Sequence, residues 1–292
     1  MSARTEDSSP SGAGAHVFRI GLSRRSIGDL KRNDAQAAFR IWARAILSEK
    51  TIANEAEALI LDTPEALRAA AIDPSFDGLA TSTTEMLELG LQPESLFFTV
   101  RNGRYAQPYV LLVPQGSAVQ TVADLAGQEI LIPASPKMEL VRHWLGILMS
   151  DGNPADPLAV SYAQVPTASK AVLRVFFRQA AASVVTAPAL ELAIELNPQI
   201  SKQVRVISVS PDVVTGVFFL THRVPAPLRA ALERTIATLH ETPAGRQVLT
   251  VFQADRMEKH DLNALASTKA LLEQARSNGI PERAPIPEGN TR

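Results

Sequence analysis

The chain has 292 residues with 29 basic and 30 acidic side chains, a formal charge of −1. That length holds one large or two medium domains, and a balanced charge without a Lys/Arg-rich run argues against a nucleic-acid partner. Cysteine is absent, which excludes disulfides, thiolate nucleophiles, iron–sulfur clusters and cysteine-based zinc sites together.

Residues 1–16 are polar, with Ser, Gly and Pro prominent, and read as a disordered lead-in. They lack the apolar middle of a signal peptide, which fits a cytosolic chain or one whose signal has been removed. Residues 17–22 then form a first strand, followed by the polar turn Arg24-Arg25-Ser26. A helix is expected over 34–47, because Ala35, Ala38, Phe39, Trp42 and Ile46 recur at helical spacing. Residues 58–61 are a short strand, and Thr63-Pro64-Glu65 opens a helix with a cap, a first-turn proline and an early acid. A third strand over 76–80 runs into Thr81, and Ser82-Thr83-Thr84-Glu85 fits a capping box.

Strands at 96–100 and 109–113 are separated by a turn at Asn102-Gly103. They read as an antiparallel pair where the chain crosses between lobes. A short helix over 121–127 ends at glycine. Strands at 129–132, 159–162, 183–186 and 204–209 then alternate with helices at 137–149, 167–179 and 189–196. Residues 214–220 form a strand that carries the chain back, and helices at 227–240, 244–253 and 262–276 follow. The paired Phe176 and Phe177 read as core. Pro281, Pro285 and Pro287 mark 281–292 as a tail. Apolar residues make up 46% of the chain, enough for a buried core, but no stretch reaches membrane-spanning length. Alternating strands and helices predict an α/β fold whose parallel sheets are covered on both faces.

In such sheets ligands sit at the carboxyl ends of the strands. Three polar turns fall there. Ser135-Pro136-Lys137 places free N–H groups and a lysine at a helix start, where an anion is favoured; the plain alternative is an ordinary serine cap beside a solvated lysine. Thr81, Ser82 and Thr83 offer hydroxyls at another helix start, or a capping box and nothing more. Arg24, Arg25 and Ser26 offer guanidinium forks suited to oxyanions, or a solvated surface. Asp62-Thr63 and Thr186 suit structural capping.

Signs of chemistry are missing. The five histidines have no metal-ligand spacing, and no Gly-rich loop ends in Gly-Lys-Ser/Thr. Gly21 to Arg25 lacks the second glycine of a nucleophile elbow, and Thr167-Ala168-Ser169-Lys170 has threonine where a Ser-x-x-Lys motif needs serine. No catalytic residue, metal or cofactor is expected.

Taken in order, several segments resemble a known family. The strand 109–113 with Pro114-Gln115-Gly116-Ser117 is followed by Asp124-Leu125-Ala126-Gly127 and a further strand. Ile20-Gly21-Leu22, Asp62-Thr63-Pro64-Glu65, and Ser208-Val209-Ser210-Pro211 before the strand at 216–220 complete the set. Together they resemble type 2 periplasmic solute-binding proteins of the phosphate, phosphite and phosphonate branch of ABC importers. The resemblance implies two α/β lobes, two hinge strands and an interlobe cleft holding a phosphonate, phosphate or related oxyanion. Lobe one would span 17–113 and 215–280, with the last helix packed on it, and lobe two 114–214. It further implies a periplasmic monomer, with Arg24, Arg25 and Lys137 supplying charge and Ser26, Thr81, Ser82, Thr83 and Ser135 hydrogen bonds. A membrane permease would be its partner. The same fold also serves ligand sensors and some enzymes. Two departures stand out. Only the first serine of the family's Ser-x-Ser-Gly turn remains at Ser135, and residues 178–182 lack the acid that would pair with an amine. The second departure predicts that the ligand needs no amine.

Overall fold

The computed structural model describes residues 17–280 apart from 29, 48–54 and 151–158. The lead-in at 1–16 and the tail at 281–292 lie outside the described residues.

The first stretch runs β1 (Val17–Ser23), α1 (Arg24–Ile27), α2 (Arg32–Leu47), β2 (Glu55–Leu61), α3 (Pro64–Ile72), β3 (Gly78–Ser82), α4 (Thr83–Glu88) and β4 (Leu96–Val100). The second runs β5 (Tyr109–Pro114), β6 (Glu129–Pro133), α5 (Val141–Met149), β7 (Ser161–Val165), α6 (Ala168–Phe176), β8 (Ala182–Thr186), α7 (Ala187–Leu196), α8 (Ile200–Gln203) and β9 (Val204–Val209). The chain then returns through β10 (Gly216–Leu220), α9 (Ala226–Thr238), α10 (Pro243–Val251), β11 (Arg256–His260) and α11 (Ala266–Ser277). Two sheets result, one ordered β11-β4-β10-β3-β1-β2 and the other β7-β6-β8-β5-β9.

Each sheet is buried on both faces. In the first, Phe18, Ile20 and Leu22 alternate toward Trp42 and Ile46 of α2, while Leu79, Phe98 and Phe219 face Leu67 of α3. In the second, Leu111, Ile130 and Ile132 meet Trp144 and Leu145 of α5, and Leu112, Leu131 and Val185 meet Val172 and Val175 of α6. The caps read from sequence form as expected. Thr63, Ser82 and Thr167 each accept a hydrogen bond from the backbone N–H three residues on. Among the described residues no helix is long and apolar enough to cross a membrane.

Five local expectations are corrected. First, the strands at 96–100 and 109–113 do not pair but lie in different sheets. The turn at Asn102 and Gly103, both with positive φ, closes only a single bridge between Arg101 and Arg104. The crossing itself is stapled further on, where Gln107 and Val213 exchange backbone hydrogen bonds of 3.1 and 3.2 Å. Second, the helix expected over 137–149 begins as a 3₁₀ turn, Pro136–Met138, with α5 starting at Val141. Tyr109 Oη donates to the Lys137 carbonyl at 2.8 Å, taking the acceptor that an α-helical bond from the Val141 N–H would use.

Third, α11 does not pack on lobe one. Leu265, just before it, stays in the first lobe's core, but Leu271 and Leu272 are buried with Trp144 in the second. Thr268 Oγ1 accepts from the Val214 N–H at 3.0 Å, and Asn278 Nδ2 donates to Ser150 Oγ at 3.1 Å. Fourth, β11 is a strand that apolar alternation does not reveal. Its sequence, Arg-Met-Glu-Lys-His, is charged because it forms a sheet edge, where charge discourages unwanted pairing. Fifth, Phe177 is exposed rather than core; it lies past the end of α6 and stacks edge-on against Phe176.

Candidate functional site

Register fixes which sheet edges meet. Gly216 at the start of β10 lies opposite Ser82 at the end of β3, and Tyr109 at the start of β5 lies opposite Thr186 at the end of β8. The carboxyl ends of β1 and β3 in one lobe and of β6 and β8 in the other therefore share one cleft. The lobes touch there. Gly28, at the end of α1 with φ 54°, sits so close to Pro136 that a Cβ would stand 2.5 Å from Pro136 Cγ. Leu87 of α4 packs against the cores of both lobes.

A charged cluster bridges this contact. Arg25 Nη1 lies 3.2 Å from Glu88 Oε2 and 3.9 Å from Glu139 Oε1, and Arg25 Nε lies 3.7 Å from Glu85 Oε1. Glu85 and Glu88 are one helical turn apart on α4, so both face the same guanidinium. Ser82 Oγ stands 2.8 Å from Glu139 Oε1 and 3.4 Å from Glu85 Oε2. A hydroxyl has one proton to give, and the shorter contact takes it. Thr81 Oγ1 lies 3.2 Å from Glu85 Oε2. Three carboxyl groups thus surround one arginine. Burial pushes the Glu139 carboxyl up to about 7; the Ser82 hydrogen bond and Arg25 oppose that shift, whereas Glu85 and Glu88 add to it. The hydroxyls of Thr83 and Thr84 are buried without a hydrogen-bond partner among the described residues.

The structure sorts the residues singled out from sequence. Arg25, Thr81 and Ser82 come together, with Thr83 buried beside them. Arg24 is exposed and donates to the Leu30 carbonyl at 3.2 Å. Ser26 donates to the Ser23 carbonyl at 2.8 Å, and its N–H bonds Ser23 Oγ, which closes the α1 turn. Ser135 is exposed and its Oγ accepts from the Lys137 N–H at 3.3 Å. Lys137 is also exposed at the surface, yet its pKa is lowered by the walls around it and then by Arg101. Thr63 caps α3, and Asp62 pairs with Arg32 at 2.5 Å; both are structural, as expected.

Glu85, Glu88 and Glu139 are absent from the sequence-based set. Glu85 reads there as the acid of a capping box, and Glu139 as one residue of a helix. The i, i+3 spacing of Glu85 and Glu88 behind a serine is the local signal that marks a shared face; nothing local marks Glu139. Residues 178–182, by contrast, lead into β8, whose carboxyl end faces the cleft. Residues 178–181 line a surface depression with Pro114, Ser117 and Gln128 at the far pole, and Ala182 is buried as the first residue of β8, so the missing acid there says nothing about the cleft. Among the described residues no three His, Asp or Glu side chains are placed to hold a metal ion.

Residues 44–265, more than half of the chain, match a family model described as ABC transporter, phosphonate, periplasmic substrate-binding protein. No curated protein sequence matches. A Xanthomonas citri protein solved bound to ATP has a similar fold, with a TM-score of 0.59 and 14% identity over 91% of this chain and 98% of that one. A binding-protein component of an ABC phosphonate transporter from Pseudomonas aeruginosa gives 0.57 and 13%, covering 92% and 90%. PhnD1 from Prochlorococcus marinus, in complex with methylphosphonate, gives 0.55 and 14%, covering 91% and 99%. At such identities these likenesses concern the fold.

Proposed function

The chain belongs to the phosphonate-binding family of periplasmic substrate-binding proteins of ABC transporters, and from that premise we propose that it captures a small phosphonate-type anion between its lobes for a membrane permease. The observation that carries this reading is the meeting of two carboxyl sheet edges at Arg25, Ser82 and Glu139. Polar groups from both lobes converge there, and closing the lobes around a solute removes water and strengthens those contacts. Arg25 and Lys137 supply charge. Thr81, Ser82, Thr83 and Ser135 supply hydrogen bonds. Arg24 and Ser26 spend their donors on the Leu30 and Ser23 carbonyls and stay outside the set. In this reading the protein works as a monomer in the periplasm, the compartment of its family, and no covalent step is assigned to it.

The carboxyl groups refine the ligand. The carboxyl groups of Glu85, Glu88 and Glu139 outnumber the single Arg25 guanidinium, and carboxylate oxygens accept hydrogen bonds rather than donate them. A solute entering beside them brings its own donors, as an ammonium group or a protonated phosphonate oxygen. This reverses the expectation drawn from residues 178–182, which lie away from the cleft. Calorimetric titration with methylphosphonate, 2-aminoethylphosphonate, phosphate and methanesulfonate tests the reading. The amine-bearing phosphonate is expected to bind about tenfold tighter than the plain one, about 1.4 kcal/mol. A preference for methanesulfonate, which offers neither donor, would refute it, as would the failure of all four to bind.

A further inference from the structure

Glu139 serves above only as one acceptor for a solute's donors, yet in the structure it already engages groups of the opposite lobe. It comes from lobe two, just after the 3₁₀ turn that Tyr109 stabilises. Its Oε1 reaches across to the Ser82 hydroxyl at 2.8 Å and faces Arg25 Nη1 at 3.9 Å. Those are the lobe-one groups assigned above to an anion. When ionised, Glu139 is itself an oxyanion, and the single Ser82 proton cannot then serve it and a solute together.

We propose that Glu139 is a built-in counter-ligand: its carboxyl group holds the Ser82 hydroxyl and the Arg25 guanidinium, latching the lobes together, and an arriving anion has to take its place. The competition half of this proposal rests on the phosphonate reading; the latch half does not. Two neighbouring contacts make the latch effective. The Gly28 backbone abuts Pro136 and Leu87 packs into both cores, so the lobes meet closely enough for a side chain as short as Glu139 to bridge them.

The surroundings make the latch sensitive to protons. The charged and titratable groups that act on Glu139 are Arg25 from α1, Glu85 and Glu88 from α4, and the Tyr109 phenol from β5. Burial together with Glu85 and Glu88 raises the proton affinity of Glu139 to a pKa of about 7 when the lobes are closed. Opening returns it to solvent and to the ordinary carboxylate range. Closure therefore takes up a proton, so acid favours the closed form and the advantage is lost as pH rises through about 7. The closed-to-open ratio should fall by up to about a hundredfold between pH 5 and pH 8.

Small-angle scattering on the full chain without added solute tests the latch at pH 5.5 and 8.0. Wild type is expected to be compact at pH 5.5 and larger at 8.0. Glu139→Gln, neutral but still able to bond Ser82, should be compact at both. Glu139→Ala and Ser82→Ala should be larger at both, and the serine variant keeps the test alive if the alanine variant at 139 misfolds. A wild type whose radius of gyration ignores pH, or either alanine variant as compact as wild type at pH 5.5, overturns the latch. Titration with methylphosphonate tests the competition, with Glu139→Ala expected to bind several-fold tighter than wild type. Equal or weaker binding overturns the counter-ligand role. If no variant binds methylphosphonate or any of the other three compounds named above, the phosphonate reading fails and the scattering alone decides the latch.

Discussion

Replacing Arg25 by methionine keeps the length of the side chain and removes the one cation that, among the described residues, lies within 4 Å of Glu85, Glu88 and Glu139. Breaking a fully buried ion pair from one side costs about 3–5 kcal/mol, because the partner charge is stranded. Arg25 keeps a quarter of its side-chain surface exposed, and only its 3.2 Å contact with Glu88 is within hydrogen-bonding reach. The expected loss is therefore smaller, about 2–3 kcal/mol of unfolding free energy at pH 8. It should also depend on pH. The Glu139 carboxyl is raised to about 7 in the folded protein, so the stability linked to its protonation is fully present below the unfolded carboxylate range and is lost as pH rises through about 7. At pH 6 Glu139 is mostly protonated and hardly needs Arg25, and the loss should shrink to about half. At pH 8 it is ionised beside Glu85 and Glu88, and the absence of Arg25 is felt in full. Urea unfolding of both proteins at the two pH values reads this directly. A loss below about 0.5 kcal/mol at both, the scale of an exposed pair, would show that the cluster is solvated and refute the electrostatic account of the cleft. A loss larger at pH 6 than at pH 8 would refute the role given to Glu139.

Two further substitutions probe the contact between lobes and the second cation. Gly28→Ala places a Cβ against Pro136 at a backbone with φ 54°, so it should cost about 1 kcal/mol of stability and leave the lobes less tightly closed; an unchanged urea midpoint and scattering profile would show that the segment yields freely. Lys137→Ala should weaken methylphosphonate binding by about 1.5–3 kcal/mol, the range of a charge-assisted hydrogen bond, while the unfolding midpoint holds. Equal affinities in calorimetry would centre the anion on Arg25 and Ser82 instead.

Much of the fold is legible in the sequence because its signals are local. Thr63, Ser82 and Thr167 cap helices through hydrogen bonds spanning three residues, and they do so here. The apolar runs of the sheet-forming strands and the one-sided faces of α2 and α5 show which segments are buried between layers. Where local signals mislead, a distant group has intervened. The start of the helix after Ser135 is remodelled by Tyr109, which lies 28 positions before the carbonyl it captures. Charged β11 becomes a strand because β4 offers it an edge.

Most of the strand and helix order, the covering of both sheet faces, the polar turns at strand ends and the likeness to anion-capturing two-lobed proteins follow from the sequence alone; the purely parallel sheets it predicts do not form, because β10 runs antiparallel to β3 and β4, and β5 antiparallel to β8 and β9. Each of the readings that hold rests on periodicity, on capping chemistry or on the succession of short motifs. The charge of the cleft does not. It depends on Arg25 meeting Glu88 across 63 residues of chain and Ser82 meeting Glu139 across 57, with neither partner marked as such by its neighbours. Only the folding of two sheets with their carboxyl edges face to face brings those residues together. The same packing carries α11 from the first lobe to the second, where Leu271 and Leu272 find the apolar surface of α5. Hydrogen-bond geometry within a few residues is written locally, whereas the sum of charges in a closed space exists only once distant segments share it.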